Sequence, residues 1–342
     1  MNASTEAPGR RAVLAWLITG CTMIVCMVAI GGITRLTDSG LSITEWKPIM
    51  GALPPMNGEE WNEAFEKYKA IPEFAIVNSD MDLAGFKRIF FWEYLHRNWG
   101  RLMGLVFAVP FLLFLRKGWL KGWLLRRAWA ILVAGGLVGA LGWFMVASGL
   151  EERVDVSHYR LAIHLCAALT VLSIVLWTVF DLMAGRRSFR ALDVRGVRVR
   201  LVLGAILLQV VWGAFTAGLD GGLIYNTWPL MNGEFMPENV RAFGSWTKDF
   251  TDHRDGVQFV HRYMAWVVAL AVLFVRWSQR KAPWGRELAF AVPVVLLQFA
   301  LGVFTLLGQV PLALGVLHQA GAVLLVGVWL KVVHASGRSV DF

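Results

Sequence analysis

Four of the seven histidines in this 342-residue chain, His96, His164, His261 and His318, stand in matching settings near the start of long apolar runs. Imidazole is a ligand for zinc, copper and iron. Two histidines from facing helices of a four-helix unit make the axial pair for a haem held between them. A structural zinc would want more ligands per unit, and no clustered Cys or Asp/His set accompanies these residues. Small residues follow each histidine one turn on: Gly100 after His96, Ala167 and Ala168 after His164, Ala265 after His261, Gly321 and Ala322 after His318. Positions three and four apart share a helix face, so the pattern leaves room for a broad, flat group. Helix–helix packing in membranes also enriches small residues, and it explains any single pair more readily than the fourfold coincidence. The residues therefore read as two haem sites.

Glu93 adds a second kind of chemistry. It lies one turn before His96 in Glu93-Tyr-Leu-His96, where the second half of the chain has Gln258-Phe-Val-His261. A positioned carboxylate can act as a general acid or base; the glutamine keeps the shape but takes up no proton. A plain Glu93–Arg97 ion pair is the competing reading, and it is worth little if exposed. That pairing leaves unexplained why only one half has it. The asymmetry suggests a haem that is worked on in the first half and a resident cofactor that passes electrons in the second. Arg97 and Arg262, next to two of the histidines, are candidates to pair with haem propionates; snorkelling of their charged ends to the interface is the alternative. His158 and His253 in outer connections, and His334 near the inner end of the last run, break the pattern and read as surface residues.

The elements that carry these residues are membrane helices. The chain is 57% hydrophobic with 17 tryptophans and only 17% charged residues, too apolar for an ordinary soluble domain. Apolar runs recur at 13–34, 92–115, 128–147, 159–182, 199–217, 258–275, 288–307 and 313–333. A crossing needs about 20 residues, so the count is eight transmembrane helices. The first run follows Arg10 and Arg11, but it is too long for a signal h-region and has no A-x-A cleavage site. Of the 33 Lys and Arg, more than half fall in the tails and connections of one side. Acids including Glu59, Glu60, Glu63, Glu66, Glu151, Glu152, Asp249 and Asp252 fall on the other. By the positive-inside rule both termini are cytoplasmic and the histidines lie toward the outer side. The net charge of +9 thus reports topology, and nucleic acid is not a partner. Cys21, Cys26 and Cys166 lie within apolar runs and read as buried small residues, with no outer disulfide.

The runs repeat. GGITRLTDSGLSITEWKPIMGALPP (31–55) matches GAFTAGLDGGLIYNTWPLMNGEFMP (213–237), each followed by a His-Arg helix, EYLHRNWGRLMGL (93–105) or QFVHRYMAWVVAL (258–270). RLAIHLCAALTVL (160–172) and GVLHQAGAVLLVG (315–327) then close the halves. The fold expected is all-α and polytopic: two tandem four-helix bundles, 1–190 and 191–342, related by a pseudo-twofold axis along the membrane normal. In the first outer connection, about 57–74, Asn57 and Glu60 have capping-box spacing. Trp61, Phe65 and Tyr68 fall on one face there, which reads as an interfacial amphipathic helix in contact with membrane lipid.

These motifs, GGITRLTDSGLSITEWKPIMGALPP with EYLHRNWGRLMGL and GGLIYNTWPLMNG with QFVHRYMAW, resemble the haem A synthase (COX15/CtaA) family over nearly the whole chain. The absence of cysteine between Leu36 and Arg88 is similar to the family's cysteine-free (type 2) branch. The resemblance implies an oxidoreductase that converts haem O to haem A. Two successive hydroxylations of the C8 methyl would pass through haem I, with water as the oxygen source. It implies that His96 and His164 ligate the substrate haem, that His261 and His318 ligate a resident haem b, and that Glu93 is the catalytic carboxylate. It also implies haem O synthase as donor and the cytochrome oxidase assembly machinery as destination, and it leaves room for a homo-oligomer. The short N-terminus, with Glu6 and no Arg/Ser-rich presequence, favours a bacterial inner membrane. Two other readings compete. A di-haem b electron-transfer protein would explain the histidines equally well. A transporter would explain the repeat and the intramembrane Glu93 but not the four histidines.

Overall fold

The computed structural model describes residues 8–47, 50–150, 154–189 and 194–341. Glu6, Glu151, Glu152 and the expected boundary between the halves at 190 and 191 lie outside the described residues. The helices are α1 (Pro8–Leu36), α2 (Gly58–Lys69), α3 (Pro72–Val77), α4 (Leu83–Arg116), α5 (Gly122–Val146), α6 (His158–Ala184), α7 (Val194–Gly218), α8 (Trp246–Thr251), α9 (Arg254–Ser278), α10 (Gly285–Leu307) and α11 (Leu312–Ala335). Among the described residues eight are long and apolar enough to cross a membrane: α1, α4, α5, α6, α7, α9, α10 and α11. Each of the eight apolar runs lies on one of them. Their outward faces carry large exposed apolar side chains, including Leu105, Leu137, Leu201, Val267 and Phe290, as lipid-facing helices do.

Helices α1, α4, α5 and α6 pack in one ring, and α7, α9, α10 and α11 in another. The rings meet where α1 lies against α11, α6 against α7, and α6 against α11. The meeting is fastened at both ends. At one end Arg35 of α1 bonds Asp38 and, across the divide, Asp220, each at 2.9 Å. At the other, Asp181 of α6 takes hydrogen bonds from Arg127 of α5 at 2.6 Å and from His334 of α11 at 2.8 Å. His334 is therefore not a surface residue: it is 5% exposed and hydrogen-bonded to a carboxylate that is held in the interior by its partners. Beside this contact a two-stranded antiparallel ribbon, β1 (Arg186–Phe189) with β2 (Arg338–Asp341), joins the two halves again.

The outer connection departs from its expected form. The segment 57–74 is two helices rather than one, because Pro72 begins α3 after a break at Ala70 and Ile71. Asn57 caps α2 by accepting from the Glu60 amide, while the Glu60 carboxylate accepts from the Met56 amide and the Asn57 side chain. The aromatic face of α2 covers protein. Phe65 stacks on Phe86 at 5.0 Å, Trp61 meets Phe90 edge-on at 5.0 Å, and Tyr68 is fully buried. That packing surface exists because α4 starts nine residues before its apolar run, with Asp82 capping it through the Gly85 amide. His96 consequently lies in the fourth turn of its helix and not the first.

Candidate functional site

Every one of the four histidines is seated on a glycine of a neighbouring helix. A Cβ built on Gly31 of α1 would stand 3.3 Å from the His96 ring, and on Gly142 of α5 3.0 Å from His164. On Gly213 of α7 it would stand 2.9 Å from His261, and on Gly302 of α10 2.8 Å from His318. A side chain at either of the last two would push the imidazole away, so these glycines are required by close approach and not by backbone conformation. Three sit in the shared pattern Gly-x-x-Thr: Gly31–Thr34, Gly213–Thr216 and Gly302–Thr305; Gly142 has Met145 instead. Thr34 and Thr216 hydrogen-bond back within their helices and also reach across to main-chain oxygens of the histidine helices, Trp92 and Val257. The Gly-x-x-Thr repeat was visible in the sequence; its role as a notch for imidazole was not.

In the second half the two rings face each other. The His261 and His318 ring centroids are 6.2 Å apart with their planes at 85°. A first-row metal–imidazole bond of about 2.0–2.1 Å, as at zinc, plus about 1.2 Å from nitrogen to ring centre, would put two imidazoles on opposite sides of one metal about 6.4–6.6 Å apart. The observed separation is a few tenths of an ångström short of that, so the pair is spaced to hold a single metal ion such as iron. Among the described residues no group of three or more His, Cys, Asp or Glu could hold a metal ion.

Two glutamines brace this pair. Gln209 of α7 donates through Nε2 to the His261 main-chain oxygen at 2.9 Å and stands 3.1 Å from the ring Nδ1. Gln298 of α10 makes the same pair of contacts to His318 at 3.0 and 3.2 Å. Both sit one turn before the seating glycine. Gly321 turns out to serve Gln298: a Cβ there would overlap the amide oxygen. Its smallness, expected to make space for a flat ligand, instead admits a supporting side chain. The equivalent places in the first half hold Met27 and Val138, whose side chains have no N–H to donate. Sequence reasoning missed both glutamines, although their spacing of four from each glycine was there to be read.

The first half is not a copy. His261, His318 and His164 turn Cε1 and Nδ1 toward their glycines, whereas His96 turns Nε2 toward Gly31. Glu93, 2% exposed, is fully engaged. One carboxylate oxygen accepts from the Ser42 hydroxyl and the Ile43 amide, each at 2.7 Å. The other accepts from Arg97 Nε at 3.0 Å and Nη2 at 2.6 Å. Arg97 spends its remaining reach on the main-chain oxygens of Ile43 at 2.6 Å and Glu45 at 2.9 Å. The Glu93–Arg97 pair thus exists, but its carboxylate is buried and takes both Arg97 donors on one oxygen, and the pair grips the loop that leaves α1.

Arg262 is placed as Arg97 is and bonded differently. It donates to Tyr225 O at 2.8 Å, the loop position matching Ile43. Its Nε and Nη1 are buried and have no hydrogen-bond partner, and the same is true of Gln258 Oε1. A buried guanidinium with spare donors suits an anion such as a propionate. Arg97, already neutralised by Glu93, suits one poorly. His158 is also buried, 5% exposed and pressed against Gly218 and Phe215 between the halves; expected at the surface, it is instead part of the interface. His253 precedes α9 with its ring against Phe243.

Fold and site together define an all-helical, multi-pass membrane protein with paired histidines held inside its helix rings. Residues 14–330 match the family model COX15-CtaA, cytochrome oxidase assembly protein. The chain is 47% identical over 334 residues to "Heme A synthase" of Caulobacter vibrioides, covering 96% of this chain and 97% of that one. It is 43% identical to "Heme A synthase" of Parvibaculum lavamentivorans, covering 98% and 97%. A like-named protein of Flavobacterium psychrophilum is 43% identical, with 95% and 98% covered. The chain belongs to the COX15-CtaA family. Its three cysteines are free, as expected for the cysteine-free branch.

Proposed function

We propose that this protein makes haem A from haem O in a bacterial inner membrane, upstream of cytochrome oxidase assembly. The first half holds the substrate and the second a resident haem b, with the sites toward the outer side and both termini cytoplasmic. In this reading the halves correspond by a pseudo-twofold axis. The matched contacts of α1 with α11 and of α6 with α7 support that relation. The observation that carries the functional reading is an asymmetry: four histidines share one kind of glycine seat, yet only one has a carboxylate a turn away. Full-length relatives named for haem A synthesis support it independently.

The bound haem b would supply one-electron redox chemistry; everything else falls to the chain's own residues. His96 and His164 would hold the substrate's iron and so fix the C8 methyl relative to Glu93. Each hydroxylation takes its oxygen from water and gives up two protons and two electrons, the electrons passing to an acceptor outside this chain, from methyl to hydroxymethyl (haem I) and then to the geminal diol. Loss of water from the diol leaves the formyl group. Glu93, anchored by Ser42, Ile43 and Arg97, would orient the attacking water and, giving up one of these bonds, take its proton. The loop it grips ties that proton acceptor to the outer connection. Arg262 would pair with a propionate of the resident haem, and haem O synthase would be the donor of substrate.

Replacing Glu93 with glutamine keeps the side-chain volume and removes the base. Haem should remain bound in both halves while haem A formation falls about 10²-fold or more, the usual range for a lost acid–base group. Chromatography of extracted haems reads both quantities. Normal haem A production by the variant would end the catalytic assignment.

A further inference from the structure

The two halves place the same four histidines on the same four glycines but support them differently, and that difference has a function of its own. Four residues before each seating glycine stand Met27, Val138, Gln209 and Gln298. Among the side chains at these places only the glutamines reach the histidine on the facing helix; each donates to its main-chain oxygen and lies beside its ring Nδ1. Ring orientation does not follow the glutamines alone: His164, opposite Val138, keeps the pose of His261 and His318, while His96, opposite Met27, is rotated so that Nε2 faces Gly31. Met27 fills the corresponding place without bonding, its terminal methyl lying 3.5 Å from where a Cβ on Gly100 would be.

From this we infer that Gln209 and Gln298 are positioning residues that make the second half a retaining haem site, and that Met27 and Val138 leave the first half an exchanging one. The inference rests on the assignment of a resident haem to the second half and a substrate haem to the first. The physical basis is preorganisation. A ligand whose orientation is fixed by a neighbour loses less freedom on binding the metal, and outer partners of metal-ligating histidines are commonly worth 10–100-fold in affinity. A site that must take in haem O and release haem A turns over only if it lacks that hold. A cofactor site gains from it. Gly321 belongs to the same device, since any side chain there would displace the Gln298 amide.

The test uses full-length protein purified in detergent. The double variant Gln209→Met, Gln298→Val gives the second half the residues of the first. Loss of haem B to an apoglobin acceptor is followed spectroscopically, and the low-spin ferric resonance is recorded by electron paramagnetic resonance. We expect haem B to leave about 10–100-fold faster. The resonance, set by the near-perpendicular rings, should broaden or split. The reverse variant, Met27→Gln, should slow release of haem O or haem A from the first half. It also keeps the question answerable if the double variant does not fold. Unchanged release rates and an unchanged resonance in both variants would overturn the inference. His261→Ala separates this from the underlying assignment. If it abolishes haem B while the glutamine variants change nothing, only the role of the glutamines fails. If it leaves haem B in place, the assignment of the halves fails first.

Discussion

The seat under each histidine is a place where one carbon atom matters. At Gly213 an added methyl would stand 2.9 Å from His261 Cε1, well inside the usual separation of about 3.5–4.0 Å between carbon atoms. The ring cannot yield without leaving Gln209 and its partner His318. Gly213→Ala should therefore yield protein that folds, as judged by size-exclusion chromatography, but carries less than about a tenth of the normal haem B, starting from the lower end of losses from disturbed ligand support. Haem B content per protein by pyridine haemochrome decides it. Normal content would mean that the seat is slack. Sequence reasoning reached the histidines and Glu93 at this scale because titratable residues in an apolar run are conspicuous. It missed the glutamine braces because an amide one turn from a glycine looks like helix surface until the facing helix is in place. It treated Arg97 and Arg262 alike because the letters are alike; the carboxylate beside one and the amide beside the other separate them.

Among the elements, the outer connection ties the surroundings of the site to pH. Glu73 of α3 is 5% exposed, and one of its carboxylate oxygens has no hydrogen-bond partner. Burial, reinforced by Asp38, Asp155 and Glu93 nearby and opposed by Arg35, pushes its carboxyl up to about 8. An acid whose folded value is raised above its unfolded one contributes stability that is complete below the unfolded value, here 4.5, and is lost as pH rises through about 8. Amide exchange in 58–77 should accordingly quicken on going from pH 7 to pH 9 after correction for intrinsic exchange, and Glu73→Gln should suppress that increase. Equal acceleration in the variant would show that another group is responsible. The eight spanning helices were legible because each is an apolar run of spanning length. The boundaries of α4 and the division of 57–74 were not. The first turns of α4 are amphipathic rather than apolar, and their partner, the aromatic face of α2, looks from sequence like a membrane anchor.

For the molecule as a whole, two fastenings hold the halves together: Arg35 with Asp38 and Asp220 at one end, Asp181 with Arg127 and His334 at the other. Asp181 is completely buried, and breaking a buried pair by removing one partner costs about 3–5 kcal/mol. Asp181→Leu should lower the thermal unfolding temperature of the purified protein, and the triple change with Arg127→Leu and His334→Leu should restore much of the loss. A single variant as stable as the parent would mean that the ribbon and helix packing suffice. The repeat made two halves legible; the Asp181 fastening was invisible because Asp181 and His334 lie outside the repeated motifs, and the Arg35 one because its partner Asp220 is remote in sequence. The central claim, that one half keeps a haem and the other works on one, is tested most directly by extracting haems from wild type, His96→Ala and His261→Ala. The account predicts haem B together with haem O, I or A in wild type. His96→Ala should lose the modified haems alone, and His261→Ala should lose haem B. Haem B alone in two equal copies would contradict it and point to a di-haem electron carrier.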